Sequence, residues 1–439
     1  MKIALIVFVI TYILMLSFQK IRAWIALSSA CVYIVLGICG FFDMNFLSAI
    51  KSVDYNVLMM IGGTMGTVTL FIDSKMPARL SEILISKVPN VLWAVTVLSL
   101  FAGVISAFVD NVATVLMVAP IGLAISKKLK ISPVPVIISI AVSSNLQGAA
   151  TLVGDTTSIL LGSFANMNFL EFFWMNRKPG IFFAVELGAI ASIFCLFALF
   201  RKDKQPIKGV VETKVEDYVP SILMIATVVL LIFASFIKKP DGGALQTIYN
   251  LRAGLICVII CIIGVIYECR KNKTILPLKK VIRDLDTETL ILLFGLFIVI
   301  EGITAAGVID KIAEILHSWA GNNPFIMYTM LVFVSVLLSA FIDNIPYVAT
   351  MLPVVQSIAS MMNNGAGYEP YVLYFGLLIG ATLGGNLTPI GASANIAGIG
   401  ILRKNGETVT TKDFLRIGVP FTMSAVLAGY IFTWFVWGM

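Results

Sequence analysis

Long apolar runs separated by short polar stretches organise the whole chain. They cover residues 3–18, 22–42, 56–72, 92–109, 112–126, 133–165, 180–200, 219–237, 252–268, 288–306, 324–342, 346–362, 371–402 and 417–437, and glycines and polar residues interrupt 133–165 and 371–402. A helix needs about 20 mainly apolar residues to cross a hydrocarbon core of about 30 Å, so most of these runs predict membrane-spanning helices. Two adjacent pairs, 92–109 with 112–126 and 324–342 with 346–362, are parted only by an Asp-Asn dipeptide and its neighbours. Full crossings there would leave a carboxylate at a turn with almost no loop. Two re-entrant hairpins, with their tips inside the protein, account for the pattern more simply. Ten spans then remain, and the expected fold is an all-α polytopic membrane protein. Run 3–18 follows a single Lys2, with no small-residue cleavage site before Lys20 and Arg22, and reads as a first span.

The chain repeats itself. Ser106-Ala-Phe-Val-Asp-Asn-Val-Ala-Thr-Val-Leu-Met-Val-Ala-Pro120 matches Ser339-Ala-Phe-Ile-Asp-Asn-Ile-Pro-Tyr-Val-Ala-Thr-Met-Leu-Pro353 at seven of fifteen positions, with an offset of 233. Further on, Gly148-x-x-Thr151-x-x-Gly154 recurs as Gly385-x-x-Thr388-x-x-Gly391 at an offset of 237. Each half holds five membrane spans, one of them an interrupted helix, plus one re-entrant hairpin. An odd number of crossings makes the two repeats inverted relative to each other. The boundaries expected are 1–200 for the first inverted repeat, 201–218 for a cytoplasmic linker rich in Lys, Asp and Glu, and 219–439 for the second repeat. Inverted repeats with interrupted helices are the build of secondary transporters, which hold their cargo near the midplane where the repeats meet.

Composition agrees with this and adds orientation. Only 13% of residues are charged and the mean hydropathy is +0.98, whereas a soluble domain carries about 25% charged residues. The net charge of +7 does not indicate nucleic acid, because 23 of the 31 Lys and Arg residues fall on one side of the ten-span arrangement. By the positive-inside rule that side is cytoplasmic, and both termini lie outside. An integral protein of the cell (inner) membrane is expected, with the lipid bilayer as a partner. The single histidine, His317, excludes structural zinc and Ser/His/Asp hydrolysis. Cysteines 31, 39, 195, 257, 261 and 269 lie in or beside apolar runs, as packed or lipid-facing thiols do.

Against so few charges, intramembrane carboxylates stand out. The hairpin tips place Asp110 and Asn111, with Thr114 one turn on, and Asp343 and Asn344 at membrane depth, where a carboxylate lines a cavity or binds a partner. Asp and Asn also cap the helix that returns from a turn, and both roles can hold together. The interrupted spans read Ser143-Ser-Asn-Leu-Gln-Gly-Ala-Ala-Thr-Leu-Val-Gly-Asp-Thr-Thr-Ser158 and Gly384-Gly-Asn-Leu-Thr-Pro-Ile-Gly-Ala-Ser-Ala-Asn395. Unwinding there frees carbonyls and helix N-termini, which suit hard cations and anions respectively. The glycines equally suit close helix packing. The candidate ion- and substrate-binding set is Asp110, Asn111, Thr114, Asn145, Thr151, Gly154, Asp155, Thr156, Asp343, Asn344, Asn386, Thr388, Gly391, Ser393 and Asn395. Na⁺ is expected at Asp110, Asn111, Asp155, Asp343 and Asn344. Asp155 corresponds to Ala392, so three acidic side chains and no Lys or Arg are expected at that depth, a balance that favours Na⁺ or H⁺ as coupling ion. No other cofactor is expected.

At these residues the sequence resembles the ion-transporter superfamily. The resemblance lies with the branch holding the melanosomal P-protein, arsenite-efflux permeases and Na⁺/H⁺ antiporter-like permeases with a citrate-transporter-like domain. Ser106-Ala-Phe-Val-Asp-Asn-Val-Ala-Thr-Val-Leu, Gly148-Ala-Ala-Thr-Leu-Val-Gly-Asp, Asp343-Asn-Ile-Pro-Tyr-Val-Ala-Thr-Met and Gly384-Gly-Asn-Leu-Thr-Pro-Ile-Gly-Ala-Ser-Ala-Asn look closest to the P-protein pattern. Thr156 and Thr157 depart from it, standing where that pattern has two prolines. The resemblance implies a scaffold domain and a mobile transport domain, a homodimer, and an elevator-type mechanism. The reading is therefore not an enzyme but a secondary active transporter of a small ion (inorganic or organic anion, or Na⁺/H⁺ exchange), coupled to H⁺ or Na⁺. A passive anion channel and an arsenite or antimonite efflux permease are the alternatives. An intramembrane protease could also use two aspartates, but the matched flanks of the tips favour two symmetry-related cation sites.

Overall fold

The computed structural model describes all residues except 130, 202–204, 206–212, 241 and 363–369. Most of the expected linker 201–218 therefore lies outside the described residues. The chain is helical almost throughout. The first half runs through α1 (Lys2–Ser17), α2 (Arg22–Ile38), α3 (Phe46–Lys51), α4 (Tyr55–Asp73), α5 (Met76–Ser86), α6 (Val91–Ser106), α7 (Asn111–Leu129), α8 (Pro133–Gly148), α9 (Thr156–Phe164) and α10 (Ile181–Phe200). A two-stranded ribbon, β1 (Trp174–Met175) with β2 (Lys178–Pro179), precedes α10 and was not expected from an all-α pattern. The second half continues with α11 (Val219–Ser235), α12 (Gly243–Asn250), α13 (Arg252–Lys271), α14 (Leu276–Asp284), α15 (Thr287–Ala305), α16 (Val308–Ala320), α17 (Pro324–Ser339) and α18 (Asn344–Met362). It ends with α19 (Tyr371–Leu378), α20 (Ser393–Lys404) and α21 (Thr411–Thr433).

Local sequence sets the helix starts. Asp54 caps α4 through the Val57 N–H at 3.1 Å, and Asp286 caps α15 through the Thr289 N–H at 2.9 Å. Asn90 caps α6, and Asn323 caps α17 with Pro324 as the first helical residue, where its missing N–H is no loss. The turns after α4 and α15 both need a left-handed residue, Lys75 in one and Gly307 in the other.

Among the described residues, eight helices are long and apolar enough to cross a membrane, or nine if α16 and α17, bent by 118° at their junction, count as one. Ten were expected. The difference has two sources: runs 3–18 and 219–237 fold as helices of only 16 and 17 residues, and the interrupted runs split into half-helices. The hairpin arms α7 and α18 each reach 19 residues and are themselves long and apolar enough to cross a membrane. The amphipathic helices α5 and α16, beside the hairpins, were not anticipated as elements.

Two packed groups surround the site. In one, α2 lies along α15 and α4 lies along α13. In the other, α6, α7 and α20 pack on α8, while α10 pairs with α21. Small residues allow the first group to close up. A Cβ at Gly63 would stand 2.4 Å from the Cys257 carbonyl carbon, and one at Gly295 would stand 2.7 Å from that of Ala26. Gly62, one residue away, meets nothing within 4 Å. Gly63→Val is thus expected to lower the melting temperature in detergent by an amount equivalent to about 2–3 kcal/mol. Gly62→Ala should raise it slightly, because alanine favours the helix by about 0.5–1 kcal/mol.

Candidate functional site

The two broken helices meet at their breaks. The first consists of α8, an unwound segment 149–155 and α9; the second runs from α19 through a π-helical turn (Ile379–Leu383) and a short 3₁₀ turn (Gly385–Leu387) into α20. All of α8 except Pro135 is buried, so the meeting point lies deep in the protein. Asn145 Nδ2 donates to the Thr382 carbonyl at 2.8 Å and to Asn386 Oδ1 at 3.1 Å. Asn386 Nδ2 donates back to the Val142 carbonyl at 2.8 Å. Thr157 Oγ1 and Thr382 Oγ1 lie 2.9 Å apart. Thr157 and Thr382 were not among the expected site residues, although Thr382 stands 237 positions after Asn145, the offset of the Gly-x-x-Thr repeat.

The first hairpin tip is joined to this centre by polar contacts. Asn111 Nδ2 donates to Asn145 Oδ1 at 2.9 Å and to Asp155 Oδ1 at 3.3 Å, and Ser144 Oγ donates to the Asn111 carbonyl at 3.0 Å. Asp155 caps α9: its Oδ1 accepts the Thr156 N–H at 2.9 Å and its Oδ2 accepts Thr157 Oγ1 at 2.6 Å. Asp110 accepts the Ala113 N–H at 3.0 Å and so caps α7. Thr114 is buried behind the tip. Around the tip, Val109 packs with Val68 of α4 and Met224 of α11.

The Gly-x-x-Thr-x-x-Gly motifs fasten the breaks to the tips. Thr151 Oγ1 donates to the Ala107 carbonyl, and Thr388 Oγ1 donates to the Ala340 carbonyl. A Cβ at Gly154 would lie 2.6 Å from the carbonyl oxygens of Gly148 and Ser106, and one at Gly391 would lie 2.6 Å from those of Gly385 and Ser339. These four residues hold backbone against backbone in both halves. Asn395 also turns inward on the break, donating to the carbonyls of Gly385 and Thr388 at 3.2 Å each.

The second tip differs from the first in its partners. Asp343 Oδ1 accepts the Ile345 N–H at 3.1 Å, and its Oδ2 accepts Ser393 Oγ at 3.1 Å. That same Oδ2 also accepts Arg22 Nη1 at 2.6 Å. The expectation of no Lys or Arg at this depth is therefore wrong. Arg22 opens α2 immediately before an apolar run, where counting loop charges assigned it to membrane orientation. Among the described residues neither Asp110 nor Asp155 forms an ion pair. Ala392 stands where the first half has Asp155, so α20 has no side-chain cap. The Asn344 amide, 3% exposed, has no partner for its Nδ2 among the described residues. Among those residues, no three His, Cys, Asp or Glu side chains assemble as one metal shell.

The comparisons with known proteins agree with this architecture. The family model described as "Citrate transporter" matches residues 6–375 and again 274–439. The chain is similar to an uncharacterized transporter of Mycobacterium tuberculosis, 26% identical over 443 residues and covering 99% of each chain. It is also similar to the 46 kDa membrane protein of Mycobacterium leprae, 28% identical over 445 residues and 98% of each. The P protein of Mus musculus is 22% identical over 448 residues, spanning 87% of this chain and 53% of its own length. Among solved structures, the YdaH transporter of Alcanivorax borkumensis matches with a TM-score of 0.60 at 14% identity, over 92% of this chain and 88% of that one. MtrF of Neisseria gonorrhoeae matches with a TM-score of 0.56 at 14% identity, over 92% and 83%; both likenesses concern the fold. With the family model spanning nearly the whole length, and with relatives named as transporters along it, the chain belongs to the citrate-transporter family of membrane transporters.

Proposed function

We propose that this protein is a secondary active transporter of a small ion, an inorganic or organic anion or Na⁺ in exchange for H⁺, coupled to H⁺ or Na⁺ and working by elevator-type alternating access. The observation that carries this reading is the meeting of two broken helices, each fastened to a tip with an aspartate, through Asn145, Thr382 and Asn386. Two inverted repeats with re-entrant hairpins explain why the second half follows the first helix by helix from α4 to α10 and from α15 to α21. In this reading α6–α10 and α17–α21 form the mobile domain, α1–α4 and α11–α15 form the scaffold, and α5 and α16 are the arms between them. The exposed apolar residues on α11, such as Ile225 and Phe233, suit lipid or the partner of a homodimer. The bias of basic residues puts both termini outside a cell (inner) membrane.

Both tips sit at the basic-residue ends of the scaffold helices, beside Arg22 of α2 and Met224 of α11. At the opposite ends a cavity of about 810 Å³ lies between scaffold and mobile group, lined by Lys51, Asp54, Asn56, Ser163, Asn168 and Arg252 among others. This arrangement fits a mobile domain displaced toward the cytoplasm. The donor excess at the second tip, Asn344 Nδ2 and the uncapped start of α20, suits a cargo oxygen where the first half uses Asp155. Thiol binding of arsenic has little support: Cys257 is buried against Gly63, and Cys261 packs on Gly66.

Proteoliposomes test the reading. An imposed Na⁺ or pH gradient is expected to drive counter- or co-movement that a pH-sensitive dye or ²²Na⁺ reports, and Asp110→Asn and Asp155→Asn should reduce it to the level of empty vesicles. Gradient-independent currents at carrier-exceeding rates would indicate a channel, and unchanged flux in both variants would remove the aspartates from coupling.

A further inference from the structure

Asp343 belongs to a hairpin tip of the proposed mobile group, whereas Arg22 belongs to the flanking group, held by the packing of α2 on α15. Their 2.6 Å contact therefore bridges two bodies that alternating access must separate. A carboxylate has about four lone-pair positions, and Asp343 commits three, to Arg22, Ser393 and the Ile345 N–H. The cavity beside the pair, about 30 Å³, has room for a water and not for an organic cargo. A monovalent cation at Asp343 would have to share this space with the guanidinium charge. Arg22 has a second carboxylate within reach, Glu288 of α15, at 3.8 Å from Nε. Glu288 lies in the same group as Arg22, so the guanidinium keeps a counter-charge when the tip moves away.

The repeat supplies a counterpart. Arg22 is the first residue of α2, and Arg252, 230 positions later, is the first residue of α13. Asp110 and Asp343 are separated by 233. Arg252 does not touch Asp110 in this conformation. It stacks on Tyr249, 3.8 Å from the ring centroid, donates to the Tyr249 carbonyl at 2.8 Å, and lines the 810 Å³ cavity at the far end of the scaffold.

Resting on the alternating-access reading above, we propose that Arg22 and Arg252 are alternate counter-ions for the two tips. Arg22 displaces the coupling cation from Asp343 in the conformation described here. Arg252 displaces it from Asp110 when the tips reach the other end of the scaffold. Each arginine thus promotes ion release on its own side and blocks a second cation while the pair persists.

The test follows the melting temperature of the purified full-length protein against NaCl, with choline chloride holding ionic strength constant, and against pH. A ligand bound only by the folded protein raises that temperature. The charged groups around Asp343 are Arg22, then Glu288 in the first turn of α15 with its cap Asp286, and Asp155 across the site. Arg22→Gln is expected to lower the half-saturating Na⁺ or H⁺ concentration by about tenfold, the size of one strong charge interaction. Arg22→Lys should retain the wild-type value, and Arg22→Gln with Asp343→Asn should lose the gain. An unchanged midpoint in Arg22→Gln, with the response abolished by Asp343→Asn, overturns the arginine switch and leaves the ion site standing. A response insensitive to both Asp343→Asn and Asp110→Asn instead overturns the coupling role proposed for the tip aspartates, and the arginine switch with it. For the second arginine, Arg252→Cys with Asp110→Cys should form an oxidative crosslink in membrane vesicles, identified by peptide mass spectrometry. If Arg22→Cys with Asp343→Cys crosslinks and the Arg252 pair never does, Arg252 is removed from the scheme.

Discussion

Gly154→Val and Gly391→Val are expected to prevent the accumulation of folded protein, and Gly154→Ala alone to cost about 3 kcal/mol or more. At Gly154 the added carbon would face three backbone carbonyl oxygens, those of Gly148 and Ser106 at 2.6 Å and of Ala107 at 2.7 Å. Backbone atoms cannot turn aside as the end of a flexible side chain can, so the break in the first helix and the hairpin would have to move apart. That movement would also pull Thr151 from the Ala107 carbonyl. Gly391 meets the same three-sided contact from Gly385, Ser339 and Ala340. Gly400, in α20, meets nothing within 4 Å, and Gly400→Ala serves as the control. Size-exclusion profiles and melting curves in detergent read the result. If Gly154→Ala matches Gly400→Ala, the close contact carries no stability.

Asn145→Leu is expected to destabilise by about 3 kcal/mol and to abolish transport. Asn145 is fully buried and serves three partners: it accepts from Asn111 at 2.9 Å and donates to the Thr382 carbonyl at 2.8 Å and to Asn386 Oδ1 at 3.1 Å. Leucine fills a similar volume and leaves those groups unpaired. Each buried polar group left unsatisfied costs about 1–3 kcal/mol, and part of this is recovered because Asn111 keeps Asp155 at 3.3 Å. The two asparagines act as a unit, so Asn145→Ala and Asn386→Ala should be non-additive, with a coupling of about 1–3 kcal/mol in a double-mutant cycle. Additive losses would show that the halves are not joined through this pair.

Apolar periodicity and the internal match made the site's components legible. Asp110 and Asp343 cap the starts of α7 and α18, and the glycine-rich segments are the breaks that precede α9 and α20. Asp155 and Ala392 also revealed that the halves are chemically unequal. Two things could not be read in this way. Asn145 was visible as a polar residue in an apolar run, but its partners Thr382 and Asn386 follow only from how two broken helices meet. Arg22 carried no signal at all, because a basic residue at the edge of an apolar run is what membrane orientation places there in any case.

The sequence by itself determined the long apolar helices and the places where two of them break, since hydrophobic run length, caps and breaks act over a few residues and need no distant partner; the β1–β2 ribbon and the amphipathic helices α5 and α16 lay outside that pattern. It also determined the repeat, because duplicated motifs keep their spacing. The tertiary structure decided which charges meet. A contact between Arg22 and Asp343 joins positions more than three hundred residues apart, and its existence depends on where one packed group of helices stands against another. Burial makes that placement consequential: a guanidinium and a carboxylate that would be weakly paired in water are held together where little solvent screens them. The low charge content showed that any intramembrane carboxylate would matter, while packing determined that one of them is already partnered.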